Sequence, residues 1–262
     1  MKHDPFEGLQ ELYALHRPRY PVSSFVAIRE YHQASRAKYS ELGLILLDIG
    51  CGTGISTRML RDVFGTDVTI VGIERSEAMI AKARHTTPIS YAVEYIEGVA
   101  EDIPFEADSI ALILAAQSVQ WFDRHAFNMK SVKLLREGGT LGVVQNNRSW
   151  TSSEFLCEYE LLLENLSPGY SRHYREIDIV REWGNVPQLG AIRYHEFEWT
   201  RKLLADQFVG SSLSSTKVGA AVERHGEAHV RSAIQRLVEN YLNAEGEIAV
   251  DYQTELFLAT KQ

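Results

Sequence analysis

Cysteine is nearly missing from this chain: Cys51 and Cys157 are the only two in 262 residues. Two thiols supply neither a disulfide framework nor a thiolate metal site, so a reducing, cytoplasmic setting is expected. Long apolar runs are missing as well. The longest, Leu42 to Ile49, falls far short of the ~20 residues that cross a bilayer. The opening Met1-Lys2-His3-Asp4-Pro5 has no apolar signal core, and neither export nor membrane attachment is expected. Basic charge is in deficit, with 27 Lys and Arg against 35 Asp and Glu and a net charge of -8. That is the wrong sign for a protein that neutralises many phosphates, and nucleic acid is not expected as a partner. There is no internal repeat, low-complexity tract or flexible linker. What is there is 45% hydrophobic content, enough for one compact domain carrying extra elements.

The apolar residues fall into two rhythms. Short, nearly continuous β-rich runs occupy Leu44 to Ile49, Val68 to Ile73, Glu94 to Glu97, Ser109 to Ala115 and Thr140 to Gln145, the pattern of strands buried on both faces. Helical spacing fills Ser56 to Phe64, Ser76 to Arg84 and His125 to Leu135 between them. This alternation predicts an α/β fold: βαβ units and an open, doubly wound, mostly parallel sheet with helices on both faces. Before it, residues 1–41 form a lid-like extension with a helical stretch from Ser23 to about Tyr39. Residues 42–150 form the ligand-binding core. Across 151–262, Phe155, Leu156, Tyr159, Leu162, Leu163 and Leu166 keep helical spacing, as do Val230, Ile234, Leu237, Val238 and Tyr241. Ile192 to Thr200 and Ile248 to Ala259 read as two long strands, an antiparallel pair that closes a seven-stranded sheet under a helical cap.

The chemistry concentrates where the first strand ends, at Asp48-Ile49-Gly50-Cys51-Gly52-Thr53-Gly54. Glycines in a strand-to-helix turn let main chain approach a ligand closely. A dinucleotide fingerprint, G-x-G-x-x-G, needs its third glycine at position 55, which is Ile. Asp48 also opposes a pyrophosphate, while its charge suits the ammonium of the methionyl part of S-adenosylmethionine. The second strand ends at Glu74, twenty residues beyond Gly54, where a carboxylate can accept both ribose hydroxyls.

These segments resemble the successive motifs of class I S-adenosylmethionine-dependent methyltransferases. The likeness rests on Leu46 to Gly54, Gly72-Ile73-Glu74-Arg75-Ser76-Glu77-Ala78-Met79, Ala100-Glu101-Asp102-Ile103-Pro104-Phe105 and Leu134 to Leu141. Arg17-Pro18-Arg19-Tyr20-Pro21, Gln117-Ser118-Val119-Gln120-Trp121-Phe122-Asp123 and Tyr252 to Ala259 are similar to the trans-aconitate methyltransferase-like branch. The resemblance implies a Rossmann-like sheet whose last strand is antiparallel. It implies that Gly50, Cys51, Gly52 and Gly54 wrap the methionyl part, that Glu74 holds the ribose, and that Arg75 and Met79 flank the adenine. Ala100 and Glu101 would lie at the adenine edge and Gln117 near the methionyl end. Many relatives carry Asp where this chain has Val99, which leaves the adenine amino group to Glu101 or to backbone.

A sulfonium donor needs neither a metal nor a covalent intermediate, only in-line approach and a dry cavity. The expected acceptor is a small molecule, most readily a carboxylate; a phenol, hydroxyl, amine or carbon acceptor is the alternative, and a base would then help. Candidate acceptor contacts are Tyr13, His16, Arg17, Tyr20, Gln120, Trp121, Asn146, Trp150, Arg172 and Tyr174. For Trp121 and Trp150 packing under the cap is an equal alternative, and for Arg17 and Tyr20 so is pinning the N-terminal segment. His16 and His125 read as surface histidines, Cys51 as a small filler, and His225 and His229 as a solvated helix face. No residue is assigned as a catalytic base and no metal set is expected. A nicotinamide-dependent oxidoreductase and a cofactor-binding regulatory module remain competing functions, and the chain is expected to act as a monomer or homodimer.

Overall fold

A computed structural model describes residues 17–35, 43–174 and 176–262. Helix α1 (Val22–Ser35) precedes β1 (Leu44–Ile49), α2 (Ile55–Phe64), β2 (Val68–Glu74), α3 (Glu77–Thr86), β3 (Val93–Glu97) and β4 (Ile110–Ala116). Then come α4 (Arg124–Leu134), β5 (Leu135–Arg148), α5 (Glu154–Leu166), α6 (Ile179–Gly184) and β6 (Leu189–Leu204). The chain continues through α7 (Ala205–Leu213), α8 (Thr216–His225), α9 (Glu227–Glu239) and β7 (Glu247–Lys261). The seven strands lie in the order β3-β2-β1-β4-β5-β7-β6.

Strands β1 to β5 are parallel to one another, with Asp48 level with Gly72 on one side and Leu114 on the other. β7 runs the opposite way to β5. The Ser149 N–H donates to the Asp251 carbonyl and Thr254 Oγ1 to Asn146 Oδ1, so numbers fall along β5 as they rise along β7. The same argument makes β6 antiparallel to β7, since Thr200 bonds Asp251 and Tyr194 bonds Glu255. The sheet is therefore the expected doubly wound, mostly parallel one with its antiparallel closure.

Alternation along the strands sends side chains to both faces. Leu47, Ile49, Val71, Ile73, Ile113 and Val143 pack with Phe127 of α4 and Trp183 of α6. Leu46, Ile70, Leu112 and Leu114 pack with Phe25 and Ile28 of α1 and Met59 and Leu60 of α2. β5 is longer than Thr140 to Gln145 because Leu135 pairs with Ile110 before a register shift brings Thr140 opposite Leu112. That bulge absorbs Arg136 to Gly139, which hydropathy alone reads as a break. The expected helix from Ser23 is present through Ser35; its continuation to Tyr39 lies outside the described residues.

The chain divides into two compact units. One holds Arg19–Asn146, Ile177–Phe197 and Thr254–Gln262, which carry the parallel strands. In the other, Asn147–Glu176 and Glu198–Gln253 build a helical core from Phe155 and Tyr159 of α5, Phe208 of α7, Val218 and Ala221 of α8, and Val230, Ile234 and Val238 of α9. The four-residue steps of α9 put its apolar groups on a single stripe.

Candidate active site

Strand order reverses beside β1, whose neighbours are β2 and β4. In open α/β sheets the crevice beyond the strand ends at that reversal is where ligands bind. The turn leaving β1 occupies it. The N–H groups of Gly50 and Cys51 both donate to the Ile73 carbonyl, at 2.8 and 3.1 Å, and Gly54 N–H donates to Cys51 O at 2.9 Å. Gly50 and Gly54 have φ of +69° and +79°, a region that favours glycine. Space is denied as well. A Cβ on Gly50 would lie 2.6 Å from Ser118 Cβ, and one on Gly54 2.4 Å from Tyr95 Oη. Ser118 Oγ also donates to Ile49 O at 2.7 Å, tying the turn after β4 to the end of β1.

Asp48 is fully buried. Its Oδ2 accepts from Ser56 Oγ at 2.7 Å and Thr57 Oγ1 at 2.6 Å in the first turn of α2, and its Oδ1 has no partner among the described residues. Burial pushes the carboxyl up to about 6, against the pull of those two hydroxyls. Asp48 is thus held from the helix side and presents a single oxygen to any ligand. Ser56 and Thr57 were not singled out from sequence; hydroxyls eight and nine positions beyond a strand-end carboxylate are the signal that marks them.

Glu74 is buried and already employed. Its Oε2 accepts from Gly52 N–H at 3.0 Å, and its Oε1 from Arg75 N–H and Ser76 N–H at 2.9 and 3.1 Å. This carboxylate draws the glycine turn onto the end of β2. Arg75 is exposed and Met79 buried, so of the pair expected to flank adenine Met79 is fixed in the α3 packing and Arg75 faces solvent. Ala100 is buried. Glu101 accepts the Asp123 N–H at 2.9 Å, while Asp123 caps α4 by accepting from Ala126 N–H at 3.0 Å. Its carboxylate therefore holds the start of α4, a long-range partnership that no local pattern displays. Val99 is exposed.

Beyond β4, Gln117 has φ of +55°, an uncommon conformation for a residue with a side chain. Its N–H reaches Val144 O at 2.8 Å and its Oε1 accepts the Asn146 N–H at 2.6 Å. Asn146 is held in turn by Thr254 Oγ1, at 2.6 Å. Gln120 Nε2 donates to Gln117 O at 2.9 Å, and Trp121 is 51% exposed. Asp48, Gly50–Gly54, Glu74, Gln117, Gln120 and Asn146 thus share one unit at the carboxyl ends of β1, β2, β4 and β5. Tyr20, in the same unit, stacks at a tilt on Phe25 with centroids 5.6 Å apart, a packing role against α1.

The remaining candidates belong to the helical unit or lie outside the described residues, as Tyr13 and His16 do. Arg17 is half-buried. Arg172 grips Glu164 with two side-chain nitrogens, at 3.0 and 2.6 Å, and lies 5.0 Å over the Trp150 ring. The Arg172 hydrogen bonds pull the Glu164 carboxyl down to about 2. Tyr174 faces Lys217, whose Nζ sits 3.8 Å from the ring centre. The contacts of Arg172 with Glu164 and Trp150 give Arg172 a structural task that the sequence did not signal, and they set Trp150 in packing, one of its two expected roles. Arg148 was also unforeseen. It lies 4.9 Å from the Tyr159 ring centre and 3.9 Å from Glu160. Burial would lower its pKa, but Tyr159, Tyr252 and Glu160 together raise it.

The methyltransferase domain family matches residues 47–143. The chain is 26% identical over 196 residues to a probable S-adenosylmethionine-dependent methyltransferase of Saccharomyces cerevisiae, covering 73% of this chain and 61% of that protein. It is 36% identical over 101 residues to a trans-aconitate 2-methyltransferase of an Acidovorax species, covering 37% of this chain and 36% of that protein. The chain thus spans about three fifths of the yeast relative's length and about a third of the Acidovorax one's. A solved structure from Anaeromyxobacter dehalogenans, provisionally described as a type II methyltransferase, shares the fold with a TM-score of 0.62 at 22% identity, covering 94% of this chain and 97% of that one.

Proposed function

We propose, from the premise that the chain belongs to the class I S-adenosylmethionine-dependent methyltransferases, that it methylates a carboxylate oxygen of a small molecule. The observation that carries the cofactor part is the turn from Gly50 to Gly54 between two buried carboxylates, Asp48 and Glu74. Three buried side-chain atoms around that turn, Asp48 Oδ1, Thr53 Oγ1 and Ser76 Oγ, have no partner among the described residues. Buried polar groups are ordinarily paired, and a ligand rich in amino and hydroxyl donors and acceptors fits the set.

When bound, S-adenosylmethionine supplies a methyl already activated on a sulfonium. The protein's part is to hold and orient. Asp48 Oδ1 and main-chain groups of the glycine turn would take the methionyl ammonium and carboxylate, Glu74 the ribose hydroxyls, and Arg75 with Met79, Ala100 and Glu101 the adenine surroundings. Gln117, fixed by the Asn146 N–H, would stand at the methionyl end. An acceptor carboxylate is ionised at neutral pH, so its oxygen attacks without a general base. Positioning supplies most of the rate.

The likeness to trans-aconitate 2-methyltransferases supports the carboxylate. Incubation with donor labelled in its methyl group and a panel of carboxylates, phenols and amines tests it. Label should enter a base-labile ester. Label entering only phenols or amines would remove the carboxylate and keep the transferase, while tight binding of the demethylated product with no acceptor labelled would leave a binding module.

A further inference from the structure

Gln120 holds a hydrogen-bond acceptor whose polarity is set by a chain of contacts. Asn146 offers a backbone N–H, so the atom of Gln117 that meets it, at 2.6 Å, is oxygen. The backbone carbonyl of Gln117 in turn can only receive, so the atom of Gln120 that meets it, at 2.9 Å, is nitrogen. The usual ambiguity of amide orientation is thereby removed. Gln120 Oε1 is left as an acceptor, buried and without a partner among the described residues. It sits in a one-turn 3-10 segment, Val119–Trp121, between buried Val119 and half-exposed Trp121. The turn is anchored by Ser118 on Ile49 and by the left-handed backbone of Gln117. An acceptor atom held in place without a partner selects for a donor.

We propose that Gln120 Oε1 receives a hydrogen bond from an O–H or N–H that the methyl acceptor carries beside its reacting carboxylate. Gln120 is then a specificity-determining residue, and the substrate class is a hydroxy- or amido-acid rather than a plain acid. This rests on the carboxylate reading above. Asp48, Glu74 and the glycine turn serve the cofactor in that reading, and Gln120 lies next to Trp121 on the turn that follows β4.

The test compares paired acids, malate against succinate and 2-hydroxyhexanoate against hexanoate, on the wild type, Gln120→Met and Gln120→Glu. In the wild type the hydroxy acid should lead in kcat/KM by about tenfold or more, the scale of one lost hydrogen bond. Gln120→Met should collapse that ratio toward one. Gln120→Glu keeps an acceptor oxygen but loses the Nε2 donor to the Gln117 carbonyl, so the hydroxy acid should still lead while kcat/KM falls for both acids. Binding of S-adenosylhomocysteine should stay within about twofold in both variants, a readout that general damage would move. In Gln120→Met, a ratio that survives, whether or not both acids fall equally, or a tenfold loss of S-adenosylhomocysteine affinity overturns the assignment. If the wild type methylates these acids without preference, the role of Gln120 fails and the carboxylate reading stands. If it methylates phenols or amines and no acid at all, both fall.

Discussion

Gly50 has two reasons to be glycine, its positive φ and the nearness of Ser118, and they act together. Gly50→Ala should destabilise the chain by about 1–3 kcal/mol and weaken cofactor binding, read by urea unfolding and calorimetry. A fully stable variant would show that Ser118 can retreat. Asp48 makes a pH-dependent contribution of definite sign. Its folded pKa, about 6, is raised above the unfolded value of about 3.9. The native chain therefore holds the proton longer than the unfolded chain does. Stability tied to Asp48 is full below about pH 4 and declines as pH rises to about 6, by roughly 3 kcal/mol. Asp48→Asn should flatten that part of an unfolding-versus-pH curve. The same variant should abolish a rise in cofactor affinity through pH 6, because only the ionised carboxylate attracts an ammonium. An unchanged affinity profile would detach Asp48 from the ligand.

At the scale of elements, side chains expected at a ligand also hold secondary structure in place. Glu101→Ala removes the acceptor for the Asp123 N–H and should cost about 1 kcal/mol by loosening the start of α4. Arg172 ties the segment after α5 to Glu164. Arg172→Lys loses the two-pronged grip and the stacking on Trp150, and thermal stability should drop modestly while turnover holds. Turnover lost with stability intact would restore Arg172 as an acceptor anchor. Because Glu164 is held down at about 2, its contribution is present above the ordinary carboxylate range and fades as pH falls toward 2. Arg172→Lys should shift acid unfolding upward in pH. These partnerships explain what the sequence could and could not disclose. Asp48, the glycines and Glu74 are recognisable because strand ends and turns are local events. Glu101 with Asp123 and Ser118 with Ile49 are 22 and 69 positions apart, and only the folded chain brings them together. The full extent of β5 was hidden for a related reason, since its bulge depends on pairing with β4.

For the molecule as a whole, a ligand that binds only the folded state must raise the unfolding temperature. S-adenosylhomocysteine at a hundred times its dissociation constant should add about 2.7 kcal/mol, visible in a thermal scan, whereas NADH should add nothing. The reverse pattern would return the chain to dinucleotide chemistry. No helix among the described residues is long and apolar enough to cross a membrane. The strand order carries a further consequence for how the chain is made. β6 comes earlier in sequence than β7, yet among the described residues its only sheet neighbour is β7. While a ribosome is still adding residues 247–261, the 16 residues of β6 have no strand to pair with. Their main-chain groups stay open to stray pairing with other nascent chains. Yield in the cell should therefore hinge on how quickly that stretch is translated and on whether a chaperone shields β6 meanwhile.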